Sequence, residues 1–176
     1  MTIALTRPTV DLFASWAEAV AEFGGVHIDG SGLGAPVAGE PSVLDLLVEK
    51  ARTMADTSVA PPEGLVHNDL FWITDADEVV GFVSIRHELN DWLRRFGGHI
   101  GYSVRPSRRR RGYARASLAL ALDRCRELGL ERVLVTCDDD NVGSYRTIEG
   151  AGGVLEDVVE GPEGDDVPKR RYWIQL

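Results

Sequence analysis

Val104 to Arg115 reads VRPSRRRRGYAR, six arginines with no acid among them, and runs on into ASLALAL. Five of the arginines lie between Arg105 and Arg111, so the segment must either spread into solvent or meet an anion. Its flanks decide between these. His99 to Val104 reads as a strand, and Pro106, with no N–H and a fixed φ, ends sheet pairing. Downstream, Ala114, Leu118, Ala121, Leu122, Cys125 and Leu128 form a helical apolar stripe that closes at Gly129. The arginines therefore mark a strand-to-helix junction, where the first N–H groups of the helix lack partners and the macrodipole favours an anion. Gly112 removes a Cβ where backbone must come close to such a group, and Ala114 keeps the next turn small.

Working outward, the periodicities predict a short first strand at Ile3–Leu5 and a helix introduced by Pro8 and Thr9 that ends at Gly24-Gly25. Residues 26–41 read as a loop on the substrate side. Their glycines match neither GxGxxG nor a Walker loop. Ser42 is expected to cap a second helix, Val43 to about Met54. Leu70–Thr74 and Val79–Ile85 are β-branched and aromatic runs joined by the four residues DADE, a hairpin. HELNDWLRRF, residues 87–96, is a polar excursion with a short helical turn. After the central helix come a strand at Arg132–Cys137, a short helix capped by Asn141 and running to about Glu149, and two strands, Val154–Val159 and Val167–Ile174. The order βααβββαβαββ predicts an α/β (α+β) domain with a mixed sheet and no internal repeat.

At 176 residues, 44% apolar and 27% charged, the chain is long enough for a full core. A formal charge of −9 disfavours a protein that coats nucleic acid through its overall field, so any anion site is local. The two cysteines, Cys125 and Cys137, have no metal-ligand spacing and read as free thiols in a reducing compartment. With no signal-peptide pattern and no apolar run of membrane-spanning length, the expectation is a cytoplasmic protein without a membrane partner.

RRRGYA, Arg109 to Ala114, fits the (Q/R)-x-x-G-x-(G/A) loop of the GNAT superfamily of acetyl-CoA-dependent N-acetyltransferases. The context resembles that family too: a strand ending in VRP, the loop, an amphipathic helix, a strand, and then DDDNVGSYRTIEGAGG with its capping Asn and closing Gly. HELNDWLRRFGGHIGYSVRP is similar to a bacterial branch of predicted GNAT acetyltransferases. The likeness covers nearly the whole chain, residues 1–63 loosely. It implies one GNAT-like domain over residues 1–176, with a mostly antiparallel sheet whose fourth and fifth strands splay around coenzyme A. It further implies acetyl-CoA as cosubstrate, no metal, and direct transfer in a ternary complex to a primary amine of a small molecule or peptide. Homodimers are common in the family, and nothing in the sequence marks an interface.

By the same resemblance, backbone groups of Tyr102, Ser103 and Val104 pair with the pantetheine arm. Arg110, Arg111, Gly112 and Ala114 offer N–H groups to the pyrophosphate, with Arg109, Tyr113 and Arg115 beside them. Asn141 and Ser144 contact the arm from the other side. The tyrosine that many relatives carry seven residues after the capping Asn is Ile148 here, which cannot donate a proton, and Tyr145 projects from a different point. For the base the candidates are His99 and Glu88, each of which also has a structural reading at a strand end. Asp29, Glu40, Glu88 and Asp91 flank the expected acceptor side, either as a preference for a cationic amine or as ordinary acidic surface. A non-catalytic acyl-CoA-binding or sensing module remains open beside the enzyme, as does nucleic-acid binding by the arginine run.

Overall fold

The computed structural model describes residues 2–34 and 39–176; residues 35–38, inside the expected 26–41 loop, lie outside the described residues. Seven strands, β1 Ile3–Thr6, β2 Asn68–Asp75, β3 Glu78–Arg86, β4 Ile100–Val104, β5 Arg132–Asp138, β6 Val154–Val159 and β7 Lys169–Gln175, form one sheet in the order β1-β2-β3-β4-β5-β7-β6. Every neighbouring pair is antiparallel except β4–β5. The helices are α1 Phe13–Ala21, α2 Pro41–Ala55, α3 Tyr113–Glu127 and α4 Val142–Gly150, and the element order is the one the periodicities predict.

Alternation along the central strands builds a core on each face of the sheet. Ile73, Val83, Ile85, Ile100, Val133, Val135 and Tyr172 point to the face covered by α3 and α4, where Leu118, Cys125 and Ile148 fill the layer. Leu70, Trp72 and Phe82 point the other way, against Trp16 and Val20 of α1 and Leu44 and Leu47 of α2. Trp16 and Trp72 stack with centroids 6.4 Å apart.

Three local expectations shift. Ser42 does not cap α2: the helix starts at Pro41, whose fixed φ and missing donor suit the first helical position, and Glu40 takes the cap position. The DADE hairpin is tighter than four residues, because Asp75 pairs with Glu78 and only Ala76-Asp77 turn, with Ala76 at φ 51°. The first helix opens with a 3-10 turn, Val10–Leu12, before α1 begins. Asn141 caps α4 as expected, accepting from Ser144 N at 3.1 Å. Gly129 follows α3, which closes with the Leu130 N–H donating to Cys125 O.

Candidate active site between splayed strands

β4 and β5 are paired only where the start of β4 meets the middle of β5. One register pair, Ile100 with Val135, joins them, and beside it His99 N donates to Leu134 O at 2.7 Å. Gly98, at φ 63°, sits at this joint: a Cβ there would lie 2.5 Å from Leu134 O, so only glycine lets the chain turn into β4 against β5. Beyond the joint the strands diverge. Arg86 N donates to His99 O and Arg105 N to Val80 O, so by antiparallel alternation the odd-numbered residues of β4 pair with β3. Tyr102 and Val104 therefore turn their backbone groups toward the gap, while those of Ser103 face β3.

Two walls of different chemistry flank the gap. On the α3/α4 side stand Tyr102, Cys137 and the first turn of α4. The Tyr102 hydroxyl lies 3.1 Å from Ser144 Oγ, and burial pushes its pKa up to about 12. Burial likewise pushes the Cys137 thiol up to about 11. Ile148 is fully buried in the core, and Tyr145 packs under the Arg170 guanidinium at 4.5 Å.

At the open end of β4 the arginine stretch divides by role. Arg105 turns inward, 7% exposed, to Glu22, Glu78 and Val79 O, and its hydrogen bonds hold the Glu22 carboxyl down to about 2. Arg108 pairs with Glu78 at 2.7 Å. Arg109 Nε donates to Val104 O. Arg110, Arg111 and Arg115 are exposed. The backbone turns through left-handed conformations at Arg110, φ 63°, and Gly112, φ 86°, before α3 starts. No Cβ clash confronts Gly112, so glycine serves here for its left-handed φ. Among the described residues, the backbone N–H groups of residues 110–115 have no protein acceptor, and the first helical bond runs from Ala116 N to Gly112 O. Tyr113, buried beneath this loop, donates its hydroxyl to Asp75 Oδ2 at 2.6 Å, which anchors the start of α3 to β2. Arg115 also lines a cavity of about 300 Å³ with Arg146, Thr147 and Gly150 of α4. The α4 lining residues were not candidates from sequence; the four-residue spacing of Arg146 and Gly150, which puts them on one helix face, was the available signal.

The α1/α2 face holds the other wall. Residues 28–31 lie on β4: Ser103 Oγ donates to Asp29 O at 2.7 Å, and Gly30 rests against Gly101 O. Desolvation raises the Asp29 carboxyl above its ordinary value, with Asp138 adding to the rise and His27, Arg86 and Lys169 opposing it, and because the side chain is 74% exposed water limits the effect. Lys169 bridges Asp138 and Asp165 across the far edge. His99 stands at the joint, 6% exposed, with Nδ1 accepting from Leu134 N at 2.9 Å and its ring edge-on to Trp173. Burial pushes its pKa down to about 4, so the ring is neutral near pH 7 and Nε2 carries the proton. Glu88 lies beyond the end of β3 and is exposed.

The sheet with its splayed parallel pair, and the open N–H groups at the β4–α3 turn, coincide with a match to the family model described as Acetyltransferase (GNAT) family over residues 44–152. The chain belongs to the GNAT acetyltransferase family. Its fold is also that of solved GNAT structures. The putative acetyltransferase yncA from Salmonella typhimurium, solved with acetyl-CoA, is 15% identical, with TM-score 0.66 and coverage of 100% of this chain and 95% of that one. RimJ from Mycobacterium smegmatis, solved with CoA-disulfide, is 22% identical, with TM-score 0.71 and coverage of 99% and 82%. RimL, a ribosomal L7/L12 alpha-N-protein acetyltransferase solved with coenzyme A, is 17% identical, with TM-score 0.72 and coverage of 100% and 95%. No curated protein matches the sequence. In this GNAT chain the two walls lie on opposite faces of the sheet, either side of the gap between β4 and β5. Among the described residues no helix is long and apolar enough to cross a membrane.

Proposed function

We propose that this GNAT protein, acting as one domain over residues 1–176, transfers the acetyl group of acetyl-CoA to a primary amine of a small molecule or peptide in a ternary complex. The observation that carries the reading is the single register pair joining β4 to β5, with unpartnered N–H groups waiting at the end of the opened strand. Tyr102 and Val104 would hold the pantetheine arm through the backbone groups they turn to the gap, and N–H groups of residues 110–115 would hold the pyrophosphate. Ser103 would belong to the acceptor wall through its side chain, and Asn141 and Ser144 to the arm's other side. When bound, acetyl-CoA supplies a thioester acyl group to an incoming nucleophile.

The chain's own part is to position and to move protons. Holding two reactants in line accounts for about 7–11 kcal/mol of such a barrier. Asp29, exposed beside Ser103 on the α1/α2 wall, would take the ammonium proton. His99 offers no free lone pair in its neutral form, since Nδ1 is occupied by the Leu134 N–H. On the opposite wall Tyr102 keeps its phenolic proton at neutral pH, with its hydroxyl held at Ser144. Direct transfer rather than an acyl-enzyme is supported by the thiols: burial raises Cys137 to about 11 and Cys125 to about 12, leaving neither ionised at neutral pH.

The test is a panel of primary amines with acetyl-CoA, followed by free-thiol release. Amine-dependent release is expected for at least one compound. Tight acetyl-CoA binding with no amine-dependent release from a broad panel of small amines and peptides would leave a non-catalytic acyl-CoA-binding module instead.

A further inference from the structure

The acceptor wall contains a cation that the reading above does not use. Arg86 ends β3 on the α1/α2 face, and its guanidinium lies over Gly101: a Cβ on Gly101 would sit 3.3 Å from Nη1 and 3.5 Å from Nη2. Gly101 follows Ile100, the residue at the joint of the splayed strands, so the cation stands beside the point from which the gap opens. Nη1 donates to Gly97 O at 2.9 Å and Gly98 O at 3.3 Å. Nε and Nη2 have no acceptor among the described residues.

Arg86 differs in its partners from the other inward-turned arginines. Arg105, Arg108, Arg124, Arg170 and Arg171 each contact at least one carboxylate. In a chain of formal charge −9, Arg86 has none within salt-bridge distance among the described residues. Enclosure presses its pKa below the ordinary arginine value, and Asp29 opposes this electrostatically from across the mouth without touching it. Arg86 is half-buried, with Nε and Nη2 left to water, and its planar fork matches a carboxylate that would replace that water.

We propose that Arg86 binds the carboxylate of the acceptor, so that the acetylated compound is a free amino acid or a close zwitterionic analogue. This rests on the acetyl-transfer reading. Arg86 takes the carboxylate beside the joint, and Asp29 faces the ammonium from residues 28–31. The pair separates the two charges of a zwitterion without neutralising each other directly. The reaction forms one amide bond and breaks one thioester: the ammonium gives its first proton to Asp29 before attack, and the nitrogen of the tetrahedral adduct gives its second, through solvent, to the departing thiolate, which leaves as the product thiol.

The experiment uses the full chain, saturating acetyl-CoA, and the common L-amino acids, each set beside its decarboxylated amine and its α-amide. Thiol release gives kcat/KM, and calorimetry on the same samples gives acetyl-CoA affinity. At least one amino acid is expected to exceed both of its uncharged-end analogues by about 100-fold. Arg86→Gln should lower kcat/KM for that amino acid by about 50-fold or more, mostly through KM, while changing the decarboxylated amine by less than about threefold. Arg86→Lys, which keeps the charge and loses the fork, should fall between. Amines or amides used as well as amino acids, or an Arg86→Gln loss shared equally by all acceptors, would overturn the proposal. The second result would instead place Arg86 at the developing oxyanion. If Arg86→Gln does not fold, the wild-type ratio between amino acid and amine still decides. Failure of acetyl-CoA to bind would sink the acetyl-transfer reading itself, whereas binding and turnover without carboxylate preference sinks only this inference.

Discussion

His99 shows how one side chain in this protein is claimed by architecture. Its Nδ1 accepts the Leu134 N–H at the joint of β4 and β5, and its pKa is depressed to about 4 from an ordinary 6.5. Between those values the unfolded chain binds the extra proton, so stability is full above about pH 6.5 and falls as pH drops toward 4, by up to about 3 kcal/mol. His99→Gln, which keeps an acceptor and removes the titration, is expected to flatten that slope in denaturation series between pH 6.5 and 4.5; an unchanged slope would show that the imidazole is not its source. The sequence offered His99 both as a base and as a strand-end tether, and choosing required its hydrogen-bond partner, 35 residues away in the chain. The arginine run was ambiguous for the same reason. Arg105 and Arg108 look like their neighbours in sequence, yet Glu22 and Glu78, 83 and 30 residues away, draw them into ion pairs. The local field at the β4–α3 turn is therefore made by Arg109, Arg110, Arg111 and Arg115.

At the scale of elements, the splay of β4 from β5 depends on a joint that is short and stiff. Gly98 makes it so, with a left-handed φ and Leu134 O in the space of a side chain. Gly98→Ala is expected to destabilise the fold by about 2–4 kcal/mol, read from chemical denaturation, because strain and a backbone clash coincide. A loss under about 0.5 kcal/mol would mean the joint is not rigid. Local sequence carried the elements well where one signal dominated: the α3 stripe, the Asn141 cap and the β-branched and aromatic run of β3 were all legible. It missed where two signals competed. Ser42 is a good cap by type, but Pro41 before it is a better helix start. The DADE turn has four polar residues, yet cross-strand pairing draws Asp75 and Glu78 into the ladder. The splay itself is a tertiary property and entered only through likeness to a family, since no local pattern distinguishes a strand that pairs along its length from one that pairs once.

For the whole molecule, the sheet separates two chemistries by the alternation of its strands: Tyr102, Cys137 and Ser144 on one face, Asp29, Arg86 and Ser103 on the other. Residues from the α1–α2 connection, β3, β4, β5 and β7 meet at the second face, which is why that wall was the least legible part of the sequence. The central claim is that the opened end of β4 binds acetyl-CoA. The most direct measurement is isothermal titration of acetyl-CoA into the wild-type chain and into Gly112→Asp, with circular dichroism on both to show that they are folded. Saturable one-to-one binding is expected of the wild type, weakened by at least about 100-fold when a negative side chain is forced into the left-handed turn. Absence of binding at millimolar acetyl-CoA, or equal binding by a folded Gly112→Asp, would contradict that claim.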